Sequence, residues 1–166
     1  MPRRQAPRER DHEYDINHLD GRWIIRSNWQ ARNFRLVEAP IATAGDRATW
    51  KDVLAHRADA FVEDFKPFER FLAVNERSGG LLKLRLIDWQ SRKQTLVSAD
   101  EPAYTMDLGD NPEQASSTLR YNYGSLTTPN TVYDLDLASG SRTLQKVAGA
   151  AGAAAWWRWS RSGLGR

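Results

Sequence analysis

Short runs of alternating apolar and polar residues dominate the chain, and they predict strands. The clearest is Leu82–Ile87, where Leu82, Leu84 and Leu86 share one face and Lys83 and Arg85 the other. That period of two is what a half-buried strand requires. Similar runs occupy His12–Asn17, Arg22–Arg26, Asn33–Val37, Phe61–Phe65, Phe71–Val74, Thr95–Val97, Tyr104–Leu108, Leu119–Tyr123, Val132–Leu137 and Arg142–Leu144. Asp20-Gly21, Ser78-Gly79-Gly80 and Ser139-Gly140 punctuate them as turns. Thr49–His56 fits a strand or a short helical turn equally well. Apart from an alanine-rich tail, no long run repeats at helical spacing. The pattern defines an all-β fold class.

A weak repeat organises the strands. Arg22-Trp23-Ile24-Ile25 has counterparts in Arg70-Phe71-Leu72-Ala73 and Thr118-Leu119-Arg120-Tyr121, each 48 residues further on. Phe34-Arg35-Leu36 and Leu82-Lys83-Leu84 keep the same spacing, and Val132-Tyr133-Asp134-Leu135 follows 50 residues later. Units of this length with about four short strands each predict propeller blades. Three four-stranded antiparallel blades are expected, at residues 12–56, 61–98 and 104–146, flanked by a basic tail at 1–11 and a low-complexity tail at 147–166. Closed propellers use about four to eight blades. An arc of three is expected to leave apolar faces bare on its first and last blades, with no obvious cap in the sequence. The chain reads as a partial β-propeller, either part of a larger ring or the partner of one.

Several ordered blocks carry a resemblance. They are His12-Glu13-Tyr14-Asp15-Ile16-Asn17-His18, Ile24–Asn28 with Asn33-Phe34, Phe71–Leu81, Asp100–Tyr104, Asp110–Glu113, Thr118–Tyr121, Tyr123–Pro129, and Thr131–Asp136 with Ser139-Gly140. Together these blocks resemble the propeller of oligopeptidase B, within the prolyl oligopeptidase family of serine peptidases. The resemblance covers residues 12–147. It implies the last blades of a seven-bladed, N-terminal propeller that covers an α/β-hydrolase domain and admits short peptides. It further implies cleavage after Arg or Lys in the complete enzyme, by Ser, Asp and His that lie outside this stretch. After Lys146 the sequence departs from the family. Val147–Ala155 is almost entirely Ala and Gly, and Trp156-Trp157-Arg158-Trp159 follows. This tail reads as the product of a reading-frame change or truncation.

Composition narrows the chemistry. The chain has 166 residues, 40% hydrophobic and 27% charged, in keeping with a single globular domain. No apolar run is long enough to form a transmembrane helix, and Met1-Pro2-Arg3-Arg4 leads into polar residues unlike a secretory signal. A cytoplasmic location without a membrane partner is expected. Cysteine is absent, which removes thiolate chemistry and cysteine-ligated metals. The net charge of +3 is uneven: residues 1–10 carry +3, residues 156–166 carry another +3, and the stretch between carries −3. Arginine-bearing ends account for the basic balance better than a nucleic-acid face does.

The search for catalytic groups points to none. Ser125 follows Gly124, but Thr127 stands where a nucleophile elbow needs its second glycine. His12, His18 and His56 all lie in the first third of the chain, away from any serine partner that a triad needs. His12 and His18 on one strand would lie about 20 Å apart, too far to share an ion. Asp134–Gly140 superficially resembles a calcium loop, but Ala138 stands where an oxygen ligand is needed. No metal and no cofactor is expected. Tyr121 with Tyr123, and Phe61 with Phe65, read as blade core rather than stacking platforms. Trp156, Trp157 and Trp159 would dock on the last blade or make the chain adhesive.

The expected function is a noncatalytic, substrate-gating propeller segment of an oligopeptidase B-like peptidase. Its expected partners are the hydrolase domain and short basic peptides drawn by the acidic middle. The alternatives are a stand-alone interaction module that self-associates through open blade edges, and complementation by a separately encoded hydrolase half.

Overall fold

A computed structural model describes residues 11–147. Twelve strands form three four-stranded antiparallel sheets, each a simple meander. The first holds β1 (Tyr14–Leu19), β2 (Arg22–Ser27), β3 (Arg35–Pro40) and β4 (Lys51–Leu54). The second holds β5 (Ala60–Pro67), β6 (Phe71–Ser78), β7 (Leu81–Asp88) and β8 (Gln94–Val97). The third holds β9 (Tyr104–Leu108), β10 (Thr118–Ser125), β11 (Thr131–Asp136) and β12 (Arg142–Val147). The ambiguous stretch after Thr49 resolves as a 3-10 turn, Arg47–Thr49, followed by β4.

Turn chemistry sets the register. Asp20 and Gly21 both have positive φ between the paired residues Leu19 and Arg22, as do Gly79 and Gly80 between Ser78 and Leu81. These are the mirror-image hairpin turns whose twist matches the flanking strands. The alternation in β7 falls as the sequence predicts. Leu82, Leu84 and Leu86 enter the core shared with the third sheet, where Met106, Leu119, Tyr121 and Leu135 meet them. A second core lies between the first and second sheets and gathers Ile24, Leu36, Phe65, Leu72, Val74 and Ile87. Arg26 clasps this seam. Its guanidinium lies 3.6 Å from the Phe34 ring centre, while Nε donates to the Val62 carbonyl.

The end faces differ from the bare apolar surfaces expected of an open arc. On the first sheet, Ile25, Val37 and Ala39 turn away from the second sheet, but the β3–β4 connection folds over them. Ala44 packs there with Trp23 and Trp50, and the Trp50 indole donates to the Ala44 carbonyl. On the third sheet the outward face is polar. Arg120 pairs with Asp134 through two short hydrogen bonds, and Asp107 and Asn122 sit opposite one another beside them. Charged and amide side chains remain solvated there, so this face needs no cover.

Candidate functional site

The three sheets converge on their first strands. β5 lies against β1 on one side and β9 on the other. The loop between β9 and β10 then reaches back across the arc. The Gln114 carbonyl accepts from the Glu69 backbone amide in the β5–β6 turn, and its side-chain amide donates to the His18 carbonyl near the end of β1. One loop of the third sheet thus touches both of the other sheets, which fixes the curvature. Each first strand carries an exposed carboxylate: Asp15, Asp64 and Asp107. Asp15 accepts from Arg26, Asp64 from the Phe65 amide, and Asp107 from the Asn75 side chain. Neighbours hold each carboxylate in place while solvent still reaches it.

At the other end of the strands stands a locked loop. β10 ends at Ser125, whose hydroxyl accepts from the Thr127 and Thr128 amides, and whose own amide donates to the Thr128 carbonyl. Glu101, from the β8–β9 connection, accepts from the hydroxyls of Tyr123, Thr127 and Thr128. The hydroxyls of Ser125, Tyr123 and Thr127 hold its carboxyl down at about 2, and desolvation together with that carboxylate pushes the Tyr123 phenol up to about 12. Asp100, Tyr121, Tyr133 and Arg142 line a recess of about 610 Å³ beside it.

The residues weighed in the sequence take structural places. Ser125 caps its own turn. His12 precedes β1 and bonds the Ser27 hydroxyl, while His18 stands edge-on to Trp23 further along. Among the described residues no three His, Cys, Asp or Glu gather as a metal site. Asp134 belongs to the Arg120 pair, and Asp136 accepts from the Ala138 and Ser139 amides and the Ser139 hydroxyl. Tyr121 and Phe65 are buried in the two inter-sheet cores, Phe61 packs on Phe34, and Tyr123 turns its hydroxyl to Glu101. Trp156, Trp157 and Trp159 lie outside the described residues.

The sequence reading missed Glu101, whose role depends on a loop more than twenty residues away, and missed a readable signal. Asp88-Trp89-Gln90-Ser91 and Asp136-Leu137-Ala138-Ser139 form one turn, repeated 48 residues apart. In both, the aspartate accepts from two backbone amides and the serine hydroxyl. Asp-x-x-Ser at a fixed interval would have marked the ends of β7 and β11.

Meander sheets stacked face to face, with first strands gathered on one side, define a stretch of β-propeller. The family described as prolyl oligopeptidase, N-terminal beta-propeller domain, matches residues 1–148, and the chain belongs to that family. It is 47% identical over 138 residues to Dipeptidyl aminopeptidase BI of Pseudoxanthomonas mexicana, a match that takes in 82% of this chain and 19% of that protein. It is 27% identical over 139 residues to Protease 2 of Moraxella lacunata, covering 84% of this chain and 19% of that one. Among solved structures, oligopeptidase B from Leishmania major superposes with a TM-score of 0.76 at 29% identity, over 85% of this chain and 21% of that one. The chain thus spans about a fifth of the length of these relatives.

Proposed function

We propose that this chain forms part of the cytoplasmic, substrate-gating propeller of an oligopeptidase B-like peptidase that cleaves short peptides after Arg or Lys. The bond-breaking groups belong to the α/β-hydrolase domain that pairs with it. The observation that carries the reading is the exposed carboxylate on each converging first strand, Asp15, Asp64 and Asp107. Exposed carboxylates attract cationic peptides through their summed field, and the attraction fades with ionic strength; Asp15 is already paired with Arg26, so Asp64 and Asp107 carry most of it.

The test is binding of short fluorescent peptides to the full chain. An Arg- and Lys-bearing peptide is expected to bind more tightly than a neutral one of equal length, and salt should narrow the gap. Asp15→Asn, Asp64→Asn and Asp107→Asn together should remove most of it. Equal binding of both peptides at low salt refutes the reading.

The 47% identity to Dipeptidyl aminopeptidase BI favours a second reading, in which the complete enzyme removes dipeptides from a free N-terminus. The two differ in which peptide bond is cut, which groups beyond this stretch decide. Reporter peptides with free and with blocked N-termini separate them in any enzyme that carries this segment.

A further inference from the structure

We propose that the loop between β10 and β11 is a preorganised knob that docks the hydrolase domain, with Leu126 as its apolar tip. This rests on the propeller reading above. Leu126 is 95% exposed on an otherwise ordered turn. A single exposed leucine is ordinary by itself; what sets this one apart is the fixed backbone beneath it, which presents the side chain for contact at low entropy cost.

The backbone here is fixed from several directions. Ser125 closes the turn with its amide and hydroxyl, Thr127 and Thr128 anchor to Glu101 from a different connection, and the Thr131 hydroxyl donates to the Pro129 carbonyl. Glu101 has its hydroxyl donors at hand and remains ionised down to about 2, so acidity within the ordinary range leaves the lock intact. Preorganisation of this kind lowers the entropy cost of docking, because the contact residue is already presented.

The register identifies the occupant. Val147, the last residue of β12, pairs with Thr131, the first residue of β11. The end of the last strand therefore lies beside the knob. The matched family domain is the N-terminal one, its match ends at residue 148, and full-length members pair it with a hydrolase domain. A domain that follows the last strand leaves the propeller at this end, next to Leu126. The apolar tip and its neutral neighbours Thr127, Thr128 and Pro129 fit a shallow apolar recess on such a domain better than a charged ligand.

The test uses the full 166-residue chain and, as probe, the hydrolase domain of the 47%-identical relative. Affinity is measured by calorimetry, self-association by sedimentation, and the lock by amide hydrogen exchange. Leu126→Ser is expected to weaken binding about tenfold, the loss of one buried leucine contact, with the melting temperature of the chain unchanged. Glu101→Gln is expected to speed exchange at the Thr127 and Thr128 amides and to weaken binding several-fold. Wild-type affinity in Leu126→Ser overturns the knob while leaving the propeller reading standing. Absence of binding by the wild-type chain overturns the docking proposal, while the peptide-binding comparison above decides the propeller reading by itself. Loss of self-association in Leu126→Ser, with hydrolase binding intact, makes a second copy the occupant and overturns the assignment. Rapid exchange at Thr127 and Thr128 in the wild-type chain refutes the lock.

Discussion

Glu76 is the sharpest test of how the first two sheets are joined. It lies within β6 at 2% exposure, where a lone carboxylate would be very costly. Arg85 on β7 meets it with Nη2 at 2.7 Å and Nε at 2.8 Å, and Arg57, from the connection between the sheets, approaches at 3.1 Å. Burial pushes the Glu76 carboxyl up, but the hydrogen bonds and charges of Arg85 and Arg57 outweigh it and hold the carboxyl low. Glu76→Gln keeps the shape and removes the charge, leaving two guanidiniums close together. Breaking a buried pair costs about 3–5 kcal/mol. The 30% exposure of the Arg57 side chain lets water take up part of that, so about 3 kcal/mol is expected. In a domain of this size that lowers the melting temperature by roughly 10 °C. The pH dependence has a definite sign. A folded-state carboxyl held low contributes stability above its unfolded value near 4.3, lost as pH falls through the folded value. Wild type should lose this contribution in acid, and Glu76→Gln should show a flatter acid limb. The paired change Glu76→Met with Arg85→Met should recover much of the loss, because removing both charges leaves neither unpaired. Thermal unfolding by circular dichroism at several pH values reads all three chains. A Glu76→Gln melt within 2 °C of wild type with an unchanged acid limb would refute the reasoning.

Two further outcomes follow from the packing and the repeated turn. Leu72 is fully buried in the core between the first two sheets, so Leu72→Ala should cost about 2–5 kcal/mol in urea unfolding; a loss below 1 kcal/mol would show that this core does not form. Asp88→Ala and Asp136→Ala each remove one copy of the same turn and should raise amide exchange at Ser91 and at Ser139 respectively, each without affecting the other; hydrogen bonds to Ser91 and Ser139 hold both carboxyls low, so the protection should persist at mildly acidic pH and disappear only below the ordinary carboxylate range.

The blade pattern was legible because the loops are short and glycine-marked, and because β7 alternates strictly. The spacing of 48 placed β2, β6 and β10 as the second strand of each sheet. It did not give the facing of their side chains. Ile24 and Leu72, 48 residues apart, belong to the same core from opposite sides, so a rigid superposition puts one of them on the wrong face. The β2–β3 connection runs for several residues whereas β6 and β7 join through Gly79-Gly80, and a shift of one residue flips a strand. Strand ends were set short for a related reason. β6 continues past Val74 through Asn75 and Glu76, polar residues that alternation rules exclude from a core; Glu76 is buried against Arg85 and Arg57, and the Asn75 amide donates to Asp107 while its Oδ1 has no partner among the described residues.

The same physics explains why the end faces and the Glu101 loop could not be read in advance. An uncovered apolar face was a sound inference from an arc with too few blades. It failed because Trp50, inside the ambiguous stretch, and Ala44, just before it, fold back as a lid on the first sheet, and because Arg120, Asn122 and Asp134 make the last face polar. Those residues sit at alternate positions of strands whose other faces are apolar, so the alternation was visible but its orientation was not: only a neighbouring sheet decides which face turns inward. Glu101 is the stronger case. One carboxylate between two strands carries no periodic signal, and its meaning arises from hydroxyls brought to it by a hairpin that closes elsewhere. Functional side chains in a propeller lie in such connections, while the strands that hold them repeat. Regular positions of this chain therefore reveal its family, while the irregular ones, Gln114 across the arc and Glu101 beneath Leu126, tie together segments that the repeat does not relate.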